Sequence, residues 1–481
     1  MNDKKTIFSS FVWKFSERLL SQGVGLIIQI LIARMIKPEA VGEMAILLSI
    51  INIFSVVAQS GFSSYIIQKK DLSDESVSSV AIFSILVASA CILLLCGGGN
   101  FLMGLLGYPN LTRYLKVASI MLLFNAINGI CMGLLSREMQ FKEMFMRTLI
   151  VLPLSAIVCF LLMYCGLELE ALIAYNIVNP LFTTLFLLNL LRKSKYKIRM
   201  KIKWKELKDA LPYSLRVLMQ DMGNVVCNSL RSFIMGGLYS SNDLAYYDRA
   251  FTYTSYVEES VTYTASSVLL PAMAKEQDNR GRFQNYIAKS TALYSIVIIP
   301  ALLGFAAVSP TFTRVILTEK WLPCVPYMCV FAVGFLHYPI LTIQRPAFLA
   351  CGRSDVTLKI TAIQNITSLV AILLTLRFSP LVIALGTSVS LLAYIPLYVH
   401  ATKKYIGISV VDQLGAMAKY ILLATVMTAL IFPMNQLAIN DILKLFIQVI
   451  IGITAYVIML IITKDKVFYE VLEKIIARGK K

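Results

Sequence analysis

The sequence predicts an all-α polytopic membrane protein. It reads as about fourteen transmembrane helices, or twelve as the alternative count, in two six-helix lobes related by a pseudo-two-fold axis along the membrane normal. Three observations predict this. Hydrophobic residues make up 58% of the 481 and charged residues only 15%, whereas a soluble domain carries about 25% charged residues. Runs of about 20 apolar residues, the length a helix needs to cross a bilayer, recur along the whole chain. A ten-residue pattern at the start of the first run returns at the start of the seventh.

The runs fall at 12–36, 42–67, 77–99, 114–135, 145–165, 170–191, 210–237, 244–273, 287–309, 324–350, 356–377, 380–401, 416–436 and 442–463. The first, seventh and eighth carry the most polar residues and are the weakest as lipid-exposed spans. The first run is long and has no small-residue cleavage site, so it is expected to be a span and not a removable signal peptide.

The formal net charge is +18, and its placement matters more than its size. With the N-terminus in the cytoplasm, most Lys and Arg fall in cytoplasmic loops or tails, which is the positive-inside pattern. Nucleic-acid binding is therefore not expected. The densest run, RKSKYKIRMKIKWKELK at 192–208, reads as a topology determinant linking two halves, with contact to acidic lipid as the second reading. The expected division is an N-lobe over 1–191, a basic linker over 192–209, a C-lobe over 210–402, and two extra spans with a basic cytoplasmic tail over 403–481.

Loops between the runs are too short to house a catalytic module, so an enzyme is not expected. The nine cysteines are scattered without a C-x-x-C pair, and Cys324 and Cys329 read as unpaired. His337 and His400 stand at no recognised metal-ligand spacing, so neither metal nor cofactor is expected.

The repeat is the most informative feature. SERLLSQGVG (16–25) and SLRVLMQDMG (214–223) share S-x-R-x-L-x-Q-x-x-G, matching Ser16 to Ser214, Arg18 to Arg216, Gln22 to Gln220 and Gly25 to Gly223. Six spans separate them, an even number, so both helices cross in the same direction. That predicts parallel lobes with a pathway between them.

Arg18, Gln22, Gly25 and Gln29 fall within an arc of about 60° on a helix, and Arg216, Gln220, Asn224, Asn228 and Arg231 within about 120°. Polar stripes are costly against lipid and are expected to face each other or water. Span eight adds Arg249, Glu258, Glu259 and five tyrosines. Asp221, Glu258 and Glu259 are the deep acidic residues, candidates for sensing a proton or cation. Arginine forks grip phosphate oxygens, while amides and tyrosines suit sugar hydroxyls, so these stripes suit an anionic, hydroxyl-rich solute. Competing readings are snorkelling of Arg18 to the interface, and pairing of Arg231 or Arg249 with Asp221, Glu258 or Glu259. Asn125, Asn128, Asn176 and other amides would then be helix–helix glue.

Four stretches resemble Wzx-type polysaccharide exporters: AYYDRA (245–250), LLPAMAKEQDNRGRFQNYI (269–287), LTEKWLPCVPYM (317–328) and GLLSREMQFKEM (133–144). The stretches are collinear over about 11–355, and Thr318 stands where the G-x-x-W loop usually has Gly. The resemblance is to the lipopolysaccharide or teichuronic-acid exporter branch of the multidrug/oligosaccharidyl-lipid/polysaccharide (MOP) superfamily. It implies a MATE-like flippase in the bacterial inner membrane with both termini cytoplasmic. The implied substrate is an undecaprenyl-pyrophosphate-linked oligosaccharide, moved by alternating access for cell-surface polysaccharide such as lipopolysaccharide or capsule. A proton or sodium gradient or the membrane potential would drive it. Membrane lipids and polysaccharide polymerase or assembly proteins would be its partners.

The family has no strict site motif to carry over, so the site residues rest on helix geometry. Arg18, Arg216, Arg231 and Arg249 are expected at the phosphates, and Gln22, Gln29, Gln220, Asn224 and Asn228 at the glycan. The alternatives are a cation-coupled multidrug antiporter or a peptidoglycan-precursor flippase of the same fold, a membrane-embedded polymerase or acyltransferase, and a scaffold. The arginines speak against the antiporter, the scarcity of His against the enzymes, and the polar interior against the scaffold.

Overall fold

The computed structural model describes residues 2–69, 71–191, 196, 202–276 and 279–479. Within those, the side chains of 2–11, 220, 224, 263–268, 270–272, 274–276, 416, 471 and 474–479 are outside the description. Most of the basic run at 192–208 thus lies outside the described residues. Every regular element described is helical. Each of the fourteen apolar runs falls on helical structure, four of them on two successive helices, and among the described residues twelve helical segments are long and apolar enough to cross a membrane. Of the helices outside that set, Trp204–Leu238 and Ser241–Glu276 have the length but are too polar, and Lys466–Gly479 is too short. The former two are among the runs that read as weakest in the sequence. The chain is a multi-pass membrane protein.

The chain forms two compact units, Met1–Ala245 and Tyr246–Lys481. The first contains α1 (Asn2–Met35), α2 (Pro38–Gln59), α3 (Phe62–Gln68), α4 (Asp74–Leu105), α5 (Thr112–Ala118), α6 (Met121–Arg137), α7 (Phe141–Tyr164), α8 (Leu169–Leu191), α9 (Trp204–Leu238) and the start of α10 (Ser241–Glu276). Local chemistry sets the breaks. Pro38 opens α2, where a missing N–H costs nothing. Ser60 and Gly61, both left-handed, separate α2 from α3. Ser73 caps α4 by accepting from Ser76 N at 3.1 Å, with Asp74 and Glu75 in the first turn.

Several polar side chains inside this unit bind helix to helix. Asn125 donates to Ser55 Oγ (3.2 Å), and Asn128 donates to the Pro180 carbonyl (2.9 Å) and accepts from Thr184 (2.9 Å). Arg137, the arginine of GLLSREMQFKEM, caps the C-terminal end of α3 through the carbonyls of Ile66 (2.8 Å) and Lys69. Nearby, Lys69 pairs with Glu206 at 2.8 Å. That hydrogen bond holds Glu206 below its ordinary range. Burial works against the charge on Lys69, but the same pairing outweighs it and holds Lys69 above its ordinary value.

Helix α9 belongs to the first unit because it packs along α2. Ser229 donates to the Ser49 carbonyl at 3.1 Å, and a Cβ on Gly61 would stand 2.6 Å from the Ser214 carbonyl oxygen. The division between compact units therefore follows α9, whereas the sequence suggests a boundary before it, in the basic stretch.

The second unit adds α11 (Arg280–Phe312), α12 (Val325–Gly334), α13 (Tyr338–Ala350), α14 (Ser354–Thr375), α15 (Pro380–Leu392), α16 (Tyr394–Tyr405), α17 (Val410–Ile431), α18 (Asp441–Ile462) and α19 (Lys466–Gly479). One apolar core runs from Leu269 to Leu460, with α11 contributing Ile298, Ile299 and Leu302. α17 and α18 share that core. Thr428 donates to the Leu303 carbonyl (3.3 Å), and Asn435, just beyond α17, donates to the Ala307 carbonyl (2.9 Å). A buried amide relay joins α13, α16 and α17: Thr402 donates to Gln344 (2.7 Å), which donates to Gln413 (2.6 Å). His337 is buried, hydrogen-bonded with the Gly334 carbonyl (2.8 Å) and stacked on Tyr394 at 5.4 Å, as a packed histidine would be.

Thr318 explains why its position usually carries Gly. Its φ is +95°, a region closed to β-branched residues, and its buried hydroxyl has no hydrogen-bond partner among the described residues. Such strain costs about 1–3 kcal/mol. Thr318→Gly is expected to stabilise the protein by about 1 kcal/mol after the entropy of Gly is set against it. A thermal unfolding midpoint in detergent checks this; an unchanged or lower midpoint would mean the loop does not hold the threonine in this strained form.

Candidate functional site

The first polar stripe lies on α1. Arg18 is exposed, and Gln22 and Gln29 are half-buried. The seam of α1 with α7 instead buries Glu17, and Ile28 and Ile32 are buried on the same side of the helix. On α9, Arg216, Asp221 and Asn228 are exposed and Arg231 is half-buried, while Ser214, Ser229 and Ser232 are the buried polar positions. The side chains of Gln220 and Asn224 lie outside the described residues. The sequence stripe on α9 is thus largely the side turned away from α2.

In α10 the arginine and the glutamates have separate fates. Arg249 is buried with its guanidinium 5.8 Å from the Trp321 ring centroid, and Tyr246 meets the same ring edge-on at 6.1 Å. Two of the stretches that carry the family resemblance, AYYDRA and LTEKW, therefore form one contact, a cation held on the most receptive aromatic face. Glu258 is 3% exposed; Glu259 is half-buried. Glu258 accepts from Thr262, whose hydroxyl also meets Tyr294 of α11, and Tyr338 of α13 stands beside it. Among the described residues no Lys or Arg forms an ion pair with Glu258. A buried carboxylate ringed by hydroxyls is an arrangement that can hold a proton or a small cation.

The second unit also contains an apolar groove of about 660 Å³. Ile296, Pro300 and Gly304 of α11 line one side, with Met427 of α17 and Gly452 and Tyr456 of α18 opposite. The glycines there let neighbouring side chains press close: a Cβ would stand 3.2 Å from Met427 Cε at position 304 and 2.7 Å from Ile431 Cδ1 at position 452.

Three features escape sequence reasoning. One is this groove, whose walls come from positions over 100 residues apart. Another is the hydroxyl ring of Glu258. The third is an ion pair between Glu17 and Arg147 (3.2 Å), supported by Lys14 at 2.7 Å from the same carboxylate. Glu17 stands between two residues of the repeat, Ser16 and Arg18, and that adjacency was its only sequence signal.

A family model described as polysaccharide biosynthesis protein matches residues 31–326. The succinoglycan biosynthesis transport protein ExoT of Rhizobium meliloti (strain 1021) is 21% identical over 69% of this chain and 66% of its own. The lipopolysaccharide biosynthesis protein WzxC of Escherichia coli (strain K12) is 22% identical over 77% of this chain and 75% of its own. Among solved structures, the lipid II flippase MurJ in an inward closed conformation superposes with a TM-score of 0.75 at 16% identity, over 95% of this chain and 99% of that one. An inward-facing MATE family transporter of the MOP superfamily superposes at 0.60 with 13% identity, over 87% of this chain and 95% of that one. At these identities the superpositions establish the fold, which is the MATE-like MOP fold.

Proposed function

Because the chain belongs to the polysaccharide biosynthesis protein family, we propose that it moves a lipid-linked oligosaccharide across the bacterial cytoplasmic membrane by alternating access, with both termini in the cytoplasm. The observation that carries this reading is the presence of two opposite environments in one chain. Arginine- and amide-bearing faces on α1 and α9 suit a charged, hydroxylated head, and the apolar groove along α11, α17 and α18 suits a hydrocarbon tail. An undecaprenyl-pyrophosphate-linked glycan has both parts. Its tail remains in hydrocarbon, while its pyrophosphate and sugars cannot cross unaided.

Arg18, Arg216 and Arg231 take the phosphates, and Gln22, Gln29, Gln220, Asn224 and Asn228 take the glycan. Arg249 is assigned to holding Trp321, since it is buried against that ring. Of the three acids, Glu258 takes the coupling role, because Asp221 is exposed and Glu259 only half-buried.

The test is a leaflet assay in liposomes containing an undecaprenyl-pyrophosphate oligosaccharide, with a membrane-impermeant probe for the glycan. Protein-dependent exposure is expected. Arg18→Ala with Arg216→Ala should slow it by roughly a hundredfold, if each arginine makes one charged hydrogen bond worth about 1.5 kcal/mol. Exposure that survives the double substitution would demote both arginines to interfacial anchors. Absence of exposure under any imposed proton, sodium or voltage gradient would defeat the flippase reading.

A further inference from the structure

The proposed pathway depends on the direction in which α1 turns its polar stripe, and within the first unit α1 packs chiefly on a single neighbour, α7. One seam leaves a helix free to roll about its own axis unless something fixes its rotation. Measured around α1 from Glu17, Arg18, Gln22, Gly25 and Gln29 lie about 80–140° away, while Leu19, Gly23 and Ile27 lie about 200–280° away. Leu19 and Ile27 are 52% and 58% exposed, as side chains turned to lipid would be. The helix therefore has three faces: a seam, a polar stripe and a lipid side.

The seam holds a specific polar lock. The Glu17 carboxylate is buried and receives Arg147 Nη2 at 3.2 Å, Lys14 Nζ at 2.7 Å and Thr148 Oγ1 at 3.3 Å. Arg147 also donates to Thr148 at 2.8 Å, which fixes its own fork on α7. Trp13 packs on Phe145 one turn away, at 5.3 Å between centroids. Apolar seams tolerate small rotations because methyl groups are interchangeable, but a buried ion pair does not, since turning it away leaves an unpaired charge in hydrocarbon.

We infer that Glu17 and Arg147 are positioning residues for transport: their pair locks the rotation of α1 and thereby aims Arg18, Gln22 and Gln29 into the pathway. This rests on the reading of that stripe as part of the pathway.

The test uses single cysteines at position 22 or 27 in an otherwise cysteine-free protein in membranes, labelled by a water-soluble methanethiosulfonate or a lipid-soluble maleimide. With Glu17 in place, position 22 is expected to favour the water-soluble reagent and position 27 the lipid-soluble one. Glu17→Gln should reduce water-soluble labelling at 22 by about fivefold or more and slow glycan exposure to match, as several-fold losses follow from a disrupted buried pair. Glu17→Asp should keep most of both. Glu17→Lys with Arg147→Glu should restore labelling above either single change, a rescue that general destabilisation would not give. Unchanged labelling at both positions in Glu17→Gln overturns the lock. If position 22 resists the water-soluble reagent even with Glu17 present, the pathway reading fails. The lock is then judged by whether Glu17→Gln alters the lipid-soluble labelling of position 27.

Discussion

Gly42→Ala is expected to lower stability by about 2–3 kcal/mol, although in an ordinary helix the same change would raise it. An alanine gains up to about 1 kcal/mol over glycine in a helix interior. At Gly42 that gain meets a collision. A Cβ built there would lie inside the van der Waals shell of the Ser241 carbonyl group and 2.9 Å from the Ser241 Cα. The obstacle is backbone at the start of α10, so no side chain can rotate out of the way. Overpacking against yielding side chains costs about 1–3 kcal/mol, and against backbone the upper end applies. Tyr108 holds the same region by donating to the Gly236 carbonyl at 2.8 Å, so the segment has little room to retreat. Gly98→Ala is the control, because nothing lies within 4 Å of a Cβ there; it should be neutral or stabilising by up to about 1 kcal/mol. Thermal midpoints in detergent for the two variants separate the contributions. If Gly42→Ala matches Gly98→Ala, α2 does not press on the α10 terminus.

The contrast between these two glycines shows what a sequence can and cannot carry. Both sit in predominantly apolar helices, and the neighbours of neither in the sequence reveal what faces it. Helix existence was legible throughout, because runs of apolar residues record it directly; even α9 and α10, too polar to pass as lipid-exposed spans, were visible by length and position. The stretches behind the family resemblance were legible as patterns but not as physics. Arg137 caps a helix over 65 residues away, and Arg249 rests on Trp321, so both motif arginines hold the fold together.

The asparagines show the same limit. The sequence shows Asn125 and Asn128 as amides inside an apolar run, but it could not separate glue from lining; the hydrogen bonds to Ser55, Pro180 and Thr184 do. The Glu17–Arg147 pair spans 130 residues, and helical periodicity holds no information at that range. Seven of the nine residues expected to line the pathway have described side chains. Arg249 alone among them is buried, and the other six are exposed or half-buried on faces left over from packing. Amphipathic spacing predicts which residues share a face, whereas packing decides which face is used, and packing depends on partners far along the chain.

Glu258→Gln is expected to separate coupling from folding. The carboxylate is 3% exposed, and the groups around it are Thr262, Tyr294, Tyr338 and the neighbouring Glu259. These are hydroxyls and a second acid, so among the described residues the ring offers no positive charge. A buried ion without a partner costs several kcal/mol, which a bound proton or sodium ion removes. Glutamine keeps the shape and still accepts from Thr262, but it binds neither. The variant should therefore be no less stable than the parent, while transport driven by an imposed proton or sodium gradient should fall at least about tenfold, the rate equivalent of about 1.4 kcal/mol. A purely structural carboxylate predicts the reverse: a stability loss of about 1–3 kcal/mol from a disrupted buried hydrogen-bond cluster, with gradient response intact. Thr262→Val sharpens the distinction. Removing a donor from a charged carboxylate costs more than removing it from a protonated one, so the penalty should grow when the ion that Glu258 binds is withdrawn from the medium. Gradient-driven transport that persists in Glu258→Gln would take the coupling role away from this residue.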